Sequence, residues 1–216
     1  MRNAIDHSGR LSTLSPHERS GLIFAGGRAT RLGGVNKALL EIGGRRIIDR
    51  ILHALEPLVS ESVLLTNDDS LRHFGSARLV FDPEPHAGVL PALLAGLDAA
   101  QGEMCLAVAC DMPFVSRPLF EHMLGLDADV VIPRTEHGLE PMHAVYRRST
   151  VKAAIEAALA RGDRRMISYF SDVTVREVAQ EEWAAVDPAG YAFFNVNTPA
   201  DREEAQRLAS DLRPKD

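Results

Sequence analysis

The sequence predicts an α/β fold: a single-domain sandwich of three layers, with a mostly parallel central sheet and helices on both faces. Short apolar runs typical of strands alternate with segments of helical periodicity. The most hydrophobic run, residues 104–109, lacks the alternation of a half-exposed strand, which suits the centre of a sheet covered on both faces. The length of 216 residues fits one domain, and no repeat or linker divides it.

The expected elements follow in order along the chain. Pro57 limits the first helix, Ser116 is a plausible N-cap for the third, and Thr198-Pro199 opens the last one. The predicted strands are residues 22–25, 62–66, 78–81, 104–109, 129–132 and 144–146; the predicted helices are 47–55, 90–100, 118–124, 150–160 and the segment from 199.

Composition excludes several classes of protein. The net charge of −6 argues against a nucleic-acid-binding surface, and no apolar run is long enough to cross a membrane. Residues 1–20 are polar and are expected to form a flexible lead-in to a domain at 21–210. Cys105 and Cys110 are separated by an odd number of positions in one apolar run, so they face opposite sides of a strand and indicate a cytoplasmic protein without disulfides.

A glycine-rich loop at residues 21–37, GLIFAGGRATRLGGVNK, follows the first strand. Its glycines allow close backbone approach to a ligand, and its N–H groups can surround an anion. Arg28, Arg31 and Lys37 add positive charge, which predicts a triphosphate site. The spacing fits neither a P-loop nor the dinucleotide-binding fingerprint. Lys37 is one of three lysines among 24 basic residues, so its place in the loop favours a compact point charge.

Three strands end in a polar residue that would project beyond the sheet: Asn67, Asp82 and Asp111. Ligands of open α/β sheets bind at this edge. Asp111 directly follows the most apolar strand and is the candidate ligand for Mg²⁺. Its alternative role is a turn or helix cap before Pro113, and Asp82 before Pro83 has the same alternative.

A loop containing Glu136, His137, Glu140 and His143 could suggest a metal site. The spacing of these residues fits no standard zinc pattern, so we predict a surface loop instead.

The pattern A-G-G-x-x-x-R-L-G-G-x-x-K at residues 25–37 resembles the signature loop of the molybdenum cofactor guanylyltransferases, which are Rossmann-like nucleotidyltransferases. Residues 162–166 (GDRRM) and 194–199 (FNVNTP) resemble later elements of this family, so the resemblance extends from residue 21 to about residue 208. It implies nucleotide binding by Phe24, Ala25, Gly26, Gly27, Lys37, Asn67, Asp82 and Asp111, and molybdopterin binding by Arg164, Arg165, Asn195 and Asn197.

The resemblance implies an Mg²⁺-dependent enzyme that transfers GMP from GTP to molybdenum-bound molybdopterin and releases pyrophosphate. Asp111 would hold the metal, while Lys37 and Arg31 would stabilise the triphosphate. The expected protein is a monomer or weak oligomer, and proteins that mature molybdoenzymes are further candidate partners.

Alternatives remain open because the sequence departs from the family pattern. Phe24 replaces the usual leucine, Asn36 replaces the usual acid before the lysine, and residues 88–92 (GVLPA) lack the second glycine of the base-binding G-P-L-A-G segment. The resemblance implies guanine rather than cytosine, because the cytidylyl branch of the family tends to carry L-A-A-G at the start of the loop and this chain has Gly26 at the third position. The alternatives are transfer of CMP to the same cofactor, transfer of a nucleotide to a sugar phosphate, and a non-catalytic module that binds nucleotide or carries the cofactor.

Overall fold

The computed structural model describes residues 15–26, 36–72, 74–81 and 88–212. Several predicted features lie outside these ranges: residues 1–14 of the lead-in, and Gly27, Arg28, Arg31, Asp82 and Pro83. The first strand begins at Arg19, two residues before the predicted start of the domain.

Most of the strands join one eight-stranded sheet. In chain order the strands are β1 Arg19–Phe24, β2 Glu41–Ile42, β3 Arg45–Arg46, β4 Glu61–Leu65, β5 Arg78–Val80, β6 Met104–Ala109, β7 Val130–Thr135, β8 Gly138–Leu139, β9 His143–Arg147 and β10 Val175–Val178. The main sheet has the order β5-β4-β1-β6-β9-β7-β10, β8 pairs with β7, and β2 and β3 form a separate hairpin.

The main sheet is mixed but mostly parallel, which confirms the predicted class. Strand β1 pairs in parallel with β4 and β6, and the β4–β5 and β7–β10 pairs are parallel as well. Strand β9 runs antiparallel between β6 and β7. The carboxyl ends of the parallel strands therefore share one edge of the sheet, while the chain enters β9 from that same edge.

Helices cover both faces of the sheet. They are α1 Ile47–Leu55, α2 Val89–Ala99, α3 Arg117–Leu124, α4 Arg148–Ala160, α5 Gln180–Ala184 and α6 Pro199–Asp211. One apolar core contains residues of α1, α3 and α6, and the other contains residues of α2 and α4. Cys105 lies in the second core and Cys110 in the first, both buried as free thiols, so the two do face opposite sides.

The helix-start signals act as predicted. The Ser116 hydroxyl accepts a hydrogen bond from Leu119 N at 3.4 Å. Thr198 and Asp201 form a capping box at α6, with Pro199 in its first turn. Helix α4 begins at Arg148, two residues earlier than expected.

The sequence did not predict β8, β10, α5 or the β2–β3 hairpin. Strand β10 lies at the edge of the sheet and exposes Arg176 and Glu177, so it lacks the apolar run by which buried strands are recognised. The hairpin has two-residue strands, which are too short for a periodic pattern. Among the helices in the described parts of the chain, none has the length and apolar character needed to cross a membrane.

Candidate active site

The predicted site residues at the ends of β1, β4 and β6 meet at the carboxyl edge of the sheet. Backbone hydrogen bonds fix these ends: Ala25 N donates to Leu65 O at 2.9 Å, and Cys110 N donates to Phe24 O at 2.9 Å. Phe24, Ala25 and Gly26 therefore lie between the strand that leads to Asn67 and the strand that leads to Asp111. The side chain of Asn67 is exposed at this edge.

Lys37 contacts side chains from the middle and from the late part of the chain at this edge. Its Nζ lies 3.0 Å from Asp111 Oδ2 and 2.5 Å from Asn197 Oδ1. The side chains of Lys37 and Asp111 are only 16% and 24% exposed, so solvent screens this ion pair less than it would a pair on the open surface. One ammonium group thus lies between two oxygen atoms from distant parts of the sequence.

Asn36 fixes the position of Lys37. Its Oδ1 accepts a hydrogen bond from Ala38 N at 2.9 Å and caps the short 3-10 turn that begins at Lys37. Its Nδ2 donates to Asp68 Oδ2 at 3.0 Å. A carboxylate at position 36 could not make this second bond, because it has no hydrogen to donate. The residue that departs from the family pattern at position 36 is thus one that can donate a hydrogen bond to the neighbouring Asp68.

The segment that carries Asn197 is bound to the end of β6. Val196 N donates to the backbone oxygen of Asp111 at 2.8 Å. Asp201 Oδ2 accepts from Asn197 N at 2.8 Å and from Thr198 N at 2.7 Å. These bonds, led by the one from Asn197 N, lower the pKa of Asp201. The start of α6 therefore sets the position of Asn197 relative to Asp111.

Thr66 also supports the site, although no sequence pattern indicated this role. Its buried hydroxyl donates to Ala25 O at 3.1 Å and accepts from Asp68 N at 3.1 Å. It thereby joins the first residue after β1 to the turn after β4. A threonine at the end of an apolar strand was the available signal, but strand interiors also favour threonine.

The two arginines predicted for the acceptor side lie after α4. Because β9 is antiparallel, α4 begins where Arg148 N donates to Glu103 O at the amino end of β6, and it runs back towards the carboxyl edge. Arg164 and Arg165 are exposed there. Arg165 pairs with Asp163, with Nε 3.0 Å from Oδ1, and its hydrogen bonds lower the pKa of Asp163 to about 2.

Asn195, the remaining predicted residue, turns towards its own backbone. Its Nδ2 donates to Phe193 O at 3.0 Å. In the described ranges, the contacts of Arg165 and Asn195 do not include Lys37 or Asp111. The structure thus joins Asn197 to the Lys37–Asp111 pair, whereas the hydrogen bonds described for Arg165 and Asn195 go to Asp163 and Phe193.

The surface-loop prediction is correct for Glu136 and His137, which are exposed, and wrong for His143. His143 is the first residue of β9, fully buried and stacked on Phe120 with a ring-centroid distance of 4.5 Å. Burial lowers its pKa to about 3. Glu140 is half-buried. Across the described residues, no group of three or more His, Cys, Asp or Glu side chains could hold a metal ion.

Comparison with known proteins tests the family resemblance. Residues 21–178 match the family model described as MobA-like NTP transferase domain. A protein of Desulfosudis oleivorans named molybdenum cofactor guanylyltransferase is 33% identical over 191 residues, which cover 87% of this chain and 94% of that protein. A protein of Pelotomaculum thermopropionicum named probable molybdenum cofactor guanylyltransferase is 35% identical over 91% of this chain and 96% of its own length.

A solved structure agrees with these relatives. The crystal structure of molybdopterin-guanine dinucleotide biosynthesis protein A from Archaeoglobus fulgidus is similar with a TM-score of 0.75 and 25% identity, covering 89% of this chain and all of that one. The fold and the resemblance read from the glycine-rich loop are both confirmed. The chain belongs to the MobA-like NTP transferase family and is a nucleotidyltransferase.

Proposed function

We propose that this enzyme transfers GMP from GTP to the phosphate of molybdenum-bound molybdopterin and releases pyrophosphate. The observation that carries the proposal is the convergence of Asp111 and Asn197 on Lys37 at the carboxyl edge, beside the loop after β1. The names of the relatives supply the nucleotide and the acceptor.

The residues at this edge fit a divalent cation. Asp111 Oδ2 and Asn197 Oδ1 both lie within 3.0 Å of the Lys37 ammonium, so two oxygen atoms already approach one position of positive charge. Mg²⁺ prefers oxygen ligands and is usually bound by one or two carboxylates together with phosphate oxygens. Asp111 and Asn197 would hold the metal, which supplies neutralisation of the triphosphate charge. Lys37 would then turn its ammonium towards the phosphates.

The chain's own residues act by positioning and charge. An oxygen of the acceptor phosphate attacks the α-phosphorus of GTP in line, the new P–O bond forms, and the bond to the leaving pyrophosphate breaks. Lys37 stabilises the negative charge on the leaving group, and Arg31 is proposed to do the same. No covalent nucleophile is needed, and burial raises the pKa of the nearby Cys110 thiol well above its usual range, which disfavours the thiolate.

The two substrates would occupy different halves of the edge. We assign the nucleotide half to Phe24 at the end of β1 and to residues that follow β1, β4 and β5 in the sequence: Ala25, Gly26, Gly27, Asn67 and Asp82. Arg164, Arg165, Asn195 and Asn197 remain the proposed contacts to molybdopterin. A cytoplasmic protein with one catalytic domain at residues 21–210, acting as a monomer or weak oligomer and passing its product to molybdoenzyme-maturation proteins, is part of the same proposal.

One assay tests the activity and the base. The purified protein is mixed with Mg²⁺, molybdopterin and each nucleoside triphosphate in turn, and pyrophosphate release is measured. Release with GTP is the expected result. Release with CTP alone would contradict the base assignment, and no release with any nucleotide would favour a binding module without catalysis.

A further inference from the structure

Asn197, which comes just before the cap of α6, holds its amide oxygen against the Lys37 ammonium. The Asn197 residue is exposed, so close packing by neighbouring side chains does not fix its direction. Its Oδ1 nevertheless lies 2.5 Å from Lys37 Nζ. The backbone around Asn197 must therefore supply the restraint that keeps this oxygen in place.

Asp201 supplies part of this restraint through one carboxylate oxygen. Its Oδ2 accepts hydrogen bonds from Thr198 N at 2.7 Å and from Asn197 N at 2.8 Å. The bond from Thr198 N belongs to the capping box, in which a side chain at the third helical position reaches back to the N–H of the N-cap residue. The bond from Asn197 N is additional, because Asn197 precedes the cap. Asp201 thus makes one contact that capping of the helix does not require.

The other part of the restraint comes from the end of β6. Val196 N donates to the backbone oxygen of Asp111 at 2.8 Å. The consecutive N–H groups of Val196 and Asn197 are therefore bound to two different parts of the fold, the end of β6 and the first turn of α6. The direction in which the Asn197 side chain leaves the backbone depends on both bonds. Only the bond to Asp201 uses a side chain, so it is the one that substitution can remove.

We propose that Asp201 is a positioning residue for the reaction and acts through Asn197 on Lys37. This inference rests on the proposed function, in which the Lys37 ammonium stabilises the charge of the leaving pyrophosphate. Without the bond from Asn197 N, the amide oxygen of Asn197 could move away, and the ammonium would lose one of its two described contacts. Catalysis by a positioned charge is sensitive to shifts of about 1 Å, so the loss should appear in kcat.

The kinetic test must separate this role from ordinary helix capping. Asp201→Ala removes both hydrogen bonds, and Ser116→Ala is the control, because the Ser116 hydroxyl caps α3 instead. Thermal unfolding verifies that each variant is folded. We expect Asp201→Ala to lower kcat for pyrophosphate release about tenfold and Ser116→Ala to change it less than about twofold. An unchanged kcat in Asp201→Ala, or an equal loss in both variants, overturns the proposal.

A second background shows whether the effect passes through Asn197. When Asn197→Ala is already present, adding Asp201→Ala should lower kcat by less than about twofold more. The same loss with and without Asn197 overturns the proposal. Asp201→Asn keeps an acceptor oxygen on a side chain of equal length, so it should retain kcat within about threefold of the wild type. A loss as large as that of Asp201→Ala would assign the effect to the charge and overturn the proposal as well.

A chemical measurement tests the same contact without substrate or turnover. The chain has only three lysines, so their acylation by an amine-directed reagent is followed separately by mass spectrometry. The two oxygen atoms that contact Lys37 Nζ compete with the reagent. We expect Lys37 to be labelled about threefold faster or more in Asp201→Ala than in the wild type, with Lys152 unchanged as the internal reference. Equal labelling of Lys37 in the two proteins overturns the proposal. Failure of the proposed function is a different result, namely no pyrophosphate release by the wild type.

Discussion

Lys37 and Asn197 are 160 positions apart in the sequence, yet the ammonium of the first lies 2.5 Å from the amide oxygen of the second. The same ammonium contacts Asp111 at 3.0 Å. The segment of Asn197 cannot move freely from this place, because Val196 N is bonded to Asp111 O. Residues from the early, middle and late parts of the chain thus form one cluster around the Lys37 ammonium at the carboxyl edge of the sheet.

Replacing Asp111 by Asn is expected to remove turnover with little effect on folding. The amide keeps the size of the side chain but loses the negative charge that is proposed to hold the metal, so pyrophosphate release should fall at least about 100-fold. Thermal unfolding measures the effect on stability. Asp98→Asn, at an exposed ion pair with Lys152, is the control and should keep full activity. Unchanged release by the Asp111 variant would remove this carboxylate from the mechanism.

Replacing Lys37 by Arg should lower kcat even though the charge is kept. The planar guanidinium cannot occupy the compact position between Asp111 Oδ2 and Asn197 Oδ1 as an ammonium does. We expect at least about a tenfold loss in pyrophosphate release. Lys152→Arg, a surface lysine paired with Asp98, provides the same exchange as a control. Equal rates for both variants would show that only the charge at position 37 matters.

The hydrogen bond between Asn36 and Asp68 predicts that a substitution at position 68 restores stability lost by a substitution at position 36. Asn36→Asp places a second carboxylate against Asp68 and removes the hydrogen bond from Nδ2, in a place where residue 36 is buried. Denaturant unfolding should show a loss of about 1–3 kcal/mol. Adding Asp68→Asn restores one donor and one acceptor, so the double variant should recover most of this loss. If the loss of stability in the double variant equals the sum of the losses in the two single variants, the two side chains do not interact directly.

The fold was predictable because buried strands and capped helices leave local signals. The apolar run of β6 and the cap at Thr198 depend on neighbouring residues, so their positions follow from the sequence. The hydrogen-bond partner of Asn36 does not follow from the sequence, because no spacing rule relates position 36 to Asp68. His143 was misplaced since one histidine before three strand residues looks like the end of a loop, although β9 begins with it.

The approach of Asn197 to Lys37 could be expected only from the family resemblance. Nothing in the segment between the two residues, which are 160 positions apart, specifies this distance by itself. It arises because α6 starts beside the end of β6, which is a property of the whole fold. Residues joined by long-range packing of this kind are found by structure or by comparison with relatives, and local patterns identify only the separate parts.

His143 should make stability depend on pH. Its pKa is about 3 in the folded protein, against about 6.5 in an unfolded chain, because burial disfavours the charged ring. Between these values the unfolded chain binds more protons than the folded one, so acid favours unfolding. The stability that the neutral ring contributes is fully present above about pH 6.5. About 1.4 kcal/mol of it is lost for each pH unit as the pH falls towards 3.

His143→Phe isolates this effect, since phenylalanine keeps a ring against Phe120 and has no titrating group. The free energy of unfolding is measured at pH 7 and pH 5 for both proteins. The carboxylates contribute equally to the pH dependence of both proteins, so their contribution cancels when the two are compared. We expect the wild type to lose about 2 kcal/mol more than the variant between these pH values. Any strain from the larger ring shifts the variant's stability by a constant and leaves this difference intact. Parallel losses in the two proteins would mean that the imidazole becomes protonated without unfolding, and that His143 is less isolated from water than its position in the core indicates.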